Sequence, residues 1–186
     1  LSSGITVIPA KAFKGCTNLT TINTQNIVSV ENDAFMNCDS LWHISLPSAT
    51  KIGSRAFMGC SGLYDVSLSS EIKSIGSLAF ASCNMLTKIN NSSDSCKLGY
   101  HTFNNSPIKN IDSFVNDNNK LFLSFYFGND IKHNLVSVTI SNRKSLGIGS
   151  FAGFESLQTV KILNDTNIGF RAFANCKNLK KITITV

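Results

Sequence analysis

Charge is scarce in this sequence. Only 15% of its 186 residues are charged, while 42% are hydrophobic. That composition fits neither a disordered chain nor a coiled coil. The surface must be covered by uncharged polar groups, and Ser, Thr and Asn are abundant throughout. Long apolar runs are also missing. No stretch reaches the roughly 18 apolar residues that a membrane-spanning helix needs. The chain starts at Leu1 without a signal-like segment, so it reads as a trimmed fragment of a longer protein.

Catalytic grammar is absent too. There is no G-x-S-x-G elbow and no P-loop or dinucleotide fingerprint, so no cofactor is expected. "GIGSFAGF" from Gly147 looks like a glycine-rich loop, but it aligns with "KIGSRAFMGC" and is an ordinary repeat. His43, His101 and His133 share no regular spacing, and the aspartates are dispersed, so no calcium cage is expected. No C-x-x-C pair marks a zinc site. These gaps point away from an enzyme and away from a metal. The net charge of +6 favours acidic partners. Yet the lysines are scattered, with short clusters only at Arg143 with Lys144 and at Lys177, Lys180 and Lys181. A nucleic-acid binder shows a denser basic stripe, so nucleic acid is not the expected partner.

What the sequence does contain is a repeat. Ala-Phe followed by a Cys three residues on occurs at "AFKGCTNL", "AFMNCDSL", "AFMGCSGL", "AFASCNML" and "AFANCKNL". The marker residues Phe13, Phe35, Phe57, Phe80, Phe103, Phe127, Phe151 and Phe173 recur every 22 to 24 residues, giving about eight units. The best copies follow I-x-x-x-A-F-x-x-C-x-x-L-x-x-I-x-L. The end of each copy alternates with period two, which predicts a short strand with one buried face. In "LWHISLP", Ile44 and Leu46 point in while His43 and Ser45 point out. The A-F-x-x-C part carries apolar residues at i and i+3, which suits one helical turn. A unit this short cannot bury its own apolar face, so neighbouring units must stack.

Core positions follow from the frame: Phe13, Phe35, Phe57, Phe80, Phe103, Phe151 and Phe173, with Cys16, Cys38, Cys60, Cys83 and Cys176. The five cysteines share one repeat position. A parallel inward ladder directs its Cβ atoms poorly for disulfides, so buried free thiols are expected. Cys96 is off the ladder in an irregular stretch, where it can be exposed, and it has no activating neighbour. Departures concentrate at residues 96–134, where Ser106 replaces Cys and Leu135 follows Phe127 by eight residues; irregular repeats or an insertion are expected there. Sequons start at Asn18, Asn90, Asn91, Asn104 and Asn164, most of them expected by chance in an Asn- and Ser-rich chain.

The signature A-F-x-x-C-x-x-L-x-x-I-x-L-P, with Pro47 after Leu46, resembles the BspA-like leucine-rich repeats over about residues 5–186. The resemblance implies one α/β solenoid domain: a right-handed superhelix with a parallel sheet on its concave face and short helical turns on its convex face. It also implies a surface or secreted protein of the adhesin type, bound to host or matrix macromolecules.

The outward strand positions are the candidate partner-binding residues. They are Thr21, Asn23, His43, Ser45, Asp65, Ser67, Lys88, Asn90, Asn110, Asp112, Lys161 and Lys181, with Ser137, Thr139, Thr159 and Thr183 completing the face. Such small polar residues suit a broad, wet interface with another protein or a glycan. Trp42, the single tryptophan, fits a binding hot spot or, with slight preference, the core. Two other readings stay open. The chain could be a stalk carrying a distal adhesive domain, since neither end reads as a polar cap. It could also be an intracellular scaffold, consistent with reduced thiols.

Overall fold

The structure is a computed structural model that describes residues 4–89, 96–112, 127–128, 130–140, 145–163 and 166–185. In chain order the elements are β1 (Val7–Ile8), β2 (Ser29–Val30), β3 (His43–Leu46), β4 (Lys51–Ile52), β5 (Asp65–Leu68), β6 (Ser74–Ile75), β7 (Lys97–Leu98) and β8 (Asn110–Asp112). There follow α1 (Ile131–Asn134), β9 (Ser137–Ile140), β10 (Ser145–Leu146), β11 (Thr159–Leu163), β12 (Asn167–Ile168) and β13 (Lys181–Thr185).

Every strand pairs in parallel with its equivalent one repeat away. One ladder runs β1-β2-β4-β6-β7 and continues in kind as β10-β12. Its register steps Ile8 to Val30 to Ile52 to Ile75 to Leu98. The other ladder is built from the strands that the alternation predicts. It comprises β3-β5 and β8-β9-β11-β13, with Lys88 bridging Asn110 between them. The chain is therefore a parallel β solenoid of about seven turns linking the eight marker phenylalanines. A unit of 22 to 24 residues makes one full coil, and the next coil completes its hydrogen bonds.

The inward residues form a single core. Ile44, Leu46, Val66, Leu68, Val138, Ile140, Val160 and Ile162 are buried, while the residues between them reach the surface. The marker phenylalanines stack face on face in offset columns. Phe35, Phe57 and Phe80 lie 5.1 Å apart with planes within 7° of parallel. Phe127, in a coil whose frame is hard to read, joins the same column at 4.9 Å from Phe103.

The A-F-x-x-C turns are not helical, which corrects the α/β description. Lys11, Asp33, Arg55, Leu78, His101 and Arg171, two residues before the marker, have φ between 51° and 61°. Gly15, Asn37, Gly59, Ser82, Gly153 and Asn175, two residues after it, have φ between 57° and 75°. Left-handed residues on both sides break any α-helix. Their N–H groups turn to the next coil instead of the preceding turn. Phe35 N donates to Ala56 O at 2.7 Å, Asn37 N to Met58 O at 2.9 Å and Asp33 N to Ser54 O at 3.0 Å. The turn is thus a third inter-coil ladder in its own right. Among the described residues the helix assignments are Phe127 and α1, which takes up the two extra residues before Leu135 and buries Ile131.

The end coils modify the expected core. Phe13 and Phe173 are only partly buried, Cys16 is exposed and Cys176 is half-buried. Each of these coils is covered on one side only, so residues that are fully enclosed in mid-stack stay open. Within 96–134, Lys97 and Leu98 pair with the coil before them, and Asn110–Asp112 pair with the coil after them while Asn110 bridges back to Lys88. The rest of that stretch from 113 to 126, and residue 129, lies outside the described residues.

Candidate functional site

The strand positions behave as alternation requires. In register, His43 faces Asp65, Ser45 faces Ser67, and the column Asn110, Ser137, Thr159, Lys181 runs across β8, β9, β11 and β13. A parallel column holds Asp112, Thr139, Lys161 and Thr183. Lys88 reaches the face only through its bridge to Asn110. Thr21 and Asn23 sit in the equivalent place of the first coil but outside any strand; both are exposed. Asn90 lies outside the described residues.

The two ends of this face differ in chemistry. Near the start, His43 Nδ1 and Asp65 Oδ2 lie 2.7 Å apart, each side chain about one-third exposed. Beside them a hollow of about 310 Å³ is lined by Ile22, Asn23, Thr24, Gln25, His43, Ser45 and Pro47. Its wall is locally fixed. Asn23 Oδ1 accepts from Gln25 N at 3.1 Å, and Thr24 Oγ1 donates to Ser45 O. At the far end, Lys161, Lys180 and Lys181 are all exposed. Most of the fixed lysine charge of the face therefore sits away from the hollow.

Trp42 is not core. It is 42% exposed and stacks on Tyr64, itself 51% exposed, with centroids 5.6 Å apart and planes 18° from parallel. The His43 ring lies 5.5 Å from it as well, tilted by 39°. The residue sits one step before β3, where the strand has not begun to alternate, and this left its direction unreadable. The pair itself was findable, because Trp42 and Tyr64 lie one repeat apart at equivalent positions.

The cysteine column is more than apolar filling. Cys38 Sγ donates to Phe13 O at 3.1 Å, Cys60 Sγ to Phe35 O at 3.0 Å, Cys83 Sγ to Phe57 O at 3.2 Å and Cys176 Sγ to Phe151 O at 3.0 Å. Each thiol gives the marker-Phe carbonyl of the preceding coil a second donor, beside the backbone N–H three residues on that it already accepts. Ser106 is a conservative replacement in this light. Its hydroxyl donates to Phe80 O at 2.6 Å and accepts from Cys83 N at 3.0 Å. Cys96, for which exposure was open, is buried. Burial pushes the Cys83 and Cys96 thiols up to about 12. The reactive thiolate is thus suppressed at these two positions, and burial shields Cys38 and Cys60 from reagent. In the native protein a thiol reagent should label Cys16 quickly and Cys176 slowly. Cys38, Cys60, Cys83 and Cys96 should react only after denaturation, which mass spectrometry of timed aliquots reads. Equal labelling of Cys60 and Cys16 without denaturant would overturn this order.

On the turn side, Arg55 clasps the buried carboxylate of Asp33 with two bonds, at 2.7 and 3.1 Å. The Arg55 hydrogen bonds hold the Asp33 carboxyl below its ordinary range. Both residues have positive φ, so this pair braces strained turns. Among the described residues no group of three or more His, Cys, Asp or Glu could hold a metal ion, and no helix is long and apolar enough to cross a membrane.

Comparison with known proteins gives the fold its relatives. Residues 1–109 and 124–186 match the BspA type leucine rich repeat region, in six copies. A leucine-rich repeat protein from T. pallidum superposes with a TM-score of 0.57 at 25% identity, over 87% of this chain and 75% of that one. A leucine rich cell surface protein from Faecalibacterium prausnitzii aligns at 22% identity, over 99% of this chain and 58% of that one, with a TM-score of 0.42. A leucine-rich repeat protein from Bacteroides ovatus aligns at 20% identity, over 96% and 64%, with a TM-score of 0.43. A search among curated proteins found no match. With two parallel ladders, a stacked phenylalanine column and matched segments over nearly its whole length, the chain belongs to the BspA-type leucine-rich repeat family.

Proposed function

We propose that this chain is a non-enzymatic binding module of a secreted or surface protein, and that it holds another macromolecule on the outward residues of its longer strands. This is the face expected to be concave. The supporting observation is the Trp42 and Tyr64 stack, exposed beside the His43 and Asp65 pair. Large aromatics left half in water on a varied polar face are what an interface anchor requires. The turn side has a different character. Many of its N–H groups are committed to the neighbouring coil, and its motif barely changes from copy to copy. Only a surface that varies can encode a partner.

The test begins with a binding screen of the chain against immobilised matrix proteins. Two charge-reversal pairs are then compared on whatever is captured. Lys88→Glu with Lys161→Glu alters the strand face; Lys14→Glu with Lys177→Glu alters the turns. The strand pair is expected to weaken binding by about tenfold or more, mostly through slower association at low salt. The turn pair should stay within about twofold of the parent, a difference too small for a lost contact. If the turn pair abolishes binding while the strand pair leaves it intact, with both variants folded, the face is wrongly assigned.

A further inference from the structure

We propose that the far half of the strand face, from Lys88 to Lys181, is a binding surface for a linear acidic polysaccharide. This rests on the reading of the strand face as the binding face and names the class of its ligand. Lysines that look scattered in the sequence are gathered here by the register. Lys88, Asn110, Ser137, Thr159 and Lys181 form one column. Lys161 stands in the column two residues further on, and Lys109 and Lys180 precede the first column by one residue. All five lysines are exposed, and among the described residues none of them forms an ion pair. Elsewhere the fold pairs Lys51 with Glu31 and Arg55 with Asp33. The one carboxylate at the described outward positions of these strands is Asp112.

The unpaired charge runs along the stack, so it fits a chain and not a point anion. Lys88 and Lys181 are separated by four strand steps, roughly 19 Å at the usual strand spacing. A lone phosphate or carboxylate would meet one lysine at a time. An extended polyanion laid along the solenoid axis meets a cation at each end of the column and Lys161 beside it. Each such contact releases counterions from the ligand.

The neutral groups between the lysines decide the class of polyanion. Ser137, Thr139, Thr159 and Thr183 present hydroxyls on the same columns. Ser137 Oγ donates to Asn110 Oδ1, which leaves its lone pairs as acceptors. The threonine hydroxyls both donate and accept. Sugar hydroxyls need such partners, and an acidic polysaccharide places them between its charged groups. An acidic protein would want a large apolar anchor, and none is exposed at these outward positions. Nucleic acid would want rings on which bases stack, and these positions hold none. Lysine is a point charge without the fork that matches one planar anion. Sulfate and carboxylate therefore serve alike, and charge density sets the affinity.

In the experiment the whole chain is titrated into a labelled heparin oligosaccharide and followed by fluorescence anisotropy. Hyaluronan oligosaccharide, poly-glutamate and oligothymidylate serve as competitors, compared at equal numbers of charges. Heparin should bind with a Kd on the order of 10–100 μM at about 50 mM salt. It should lose about tenfold or more by about 200 mM salt. Hyaluronan should bind more weakly than heparin, yet outcompete poly-glutamate and oligothymidylate by about fivefold. Lys161→Gln with Lys181→Gln should weaken heparin by about tenfold and flatten its salt dependence. Thr139→Val with Thr159→Val should weaken both saccharides by about threefold and leave poly-glutamate unchanged, with the circular dichroism of the parent. If neither saccharide binds at about 1 mM, or if the Lys161 and Lys181 variant binds as the parent does, the proposal is overturned. Poly-glutamate or oligothymidylate binding as tightly as hyaluronan would overturn the polysaccharide class. A captured matrix protein that is lost with Lys88→Glu and Lys161→Glu, and that heparin does not displace, would also overturn it while leaving the strand-face reading intact. Loss of heparin binding in Lys14→Glu with Lys177→Glu alone would sink both.

Discussion

Phe57→Ala is expected to lose about 3–5 kcal/mol of unfolding free energy, the cost of deleting a buried aromatic whose cavity cannot collapse. Phe57 is fully buried and stacks on Phe35 and Phe80, each 5.1 Å away. Its backbone is held on both sides. Phe57 N donates to Ala79 O at 2.8 Å, and its carbonyl accepts the Cys83 thiol at 3.2 Å. Three inter-coil ladders fix the spacing, so the neighbours cannot move inward to fill the space. Energy in a solenoid is local to neighbouring units. The variant therefore damages two interfaces, Phe35 with Phe57 and Phe57 with Phe80. Phe13→Ala is the internal comparison, because Phe13 stacks on one neighbour only and is partly exposed. It should cost clearly less. Urea unfolding with matched m-values reads both. A Phe57→Ala loss below about 1 kcal/mol would mean the column does not carry the core.

The column was legible because its spacing is. A Phe every 22 to 24 residues, with Cys and Leu at fixed offsets, admits only stacked units. The strand alternation was equally plain at Ile44, Leu46, Val66 and Leu68. The turn was misread for a physical reason. The i, i+3 spacing of Phe and Cys occurs in a helical turn and equally in a tight turn bonded to the next coil. What separates the two is the sign of φ at Lys11, Asp33, Arg55 and Leu78, and none of those residue types announces it. Gly15, Gly59 and Asn37 on the other side of the marker were the available hint, since glycine and asparagine tolerate positive φ. The thiol-to-carbonyl bonds were hidden differently. Apolar burial alone explains a cysteine, and only Ser106 at the same position signals that a donor is wanted. On the binding face, alternation placed His43 and Asp65 on one side, but no local rule orients a residue ahead of its strand, so Trp42 was left between core and surface.

Gly76→Ala should be nearly as damaging as the loss of a core phenylalanine, although it adds a single methyl. A Cβ at Gly76 would lie 2.5 Å from Ser54 N, 2.6 Å from the Gly53 carbonyl carbon and 2.8 Å from Ser54 Cα. All three are backbone atoms of the preceding coil, so no side chain can swing aside. Gly53 meets Asn32 N at 2.6 Å and Gly99 meets Ser77 N at 2.3 Å in the same way. These glycines stand four residues before their marker phenylalanines and form a column of close approach. Their N–H groups hold the coils at that distance: Gly53 N to Val30 O is 2.7 Å, and Gly76 N to Ile52 O and Gly99 N to Ile75 O are both 2.8 Å. The second coil carries Glu31 at this place, and there the equivalent bond to Ile8 O is longer, 3.0 Å. A methyl at Gly76 must therefore push two coils apart along a front that includes the Lys51 and Ile52 pairing with Ser74 and Ile75. Overpacking typically costs 1–3 kcal/mol and occasionally more. With only backbone atoms in the way, a loss of about 3 kcal/mol is expected, seen as a lower urea midpoint at unchanged m-value. Gly76→Ala within about 0.5 kcal/mol of the parent would show that the coils are spaced more loosely than this column requires.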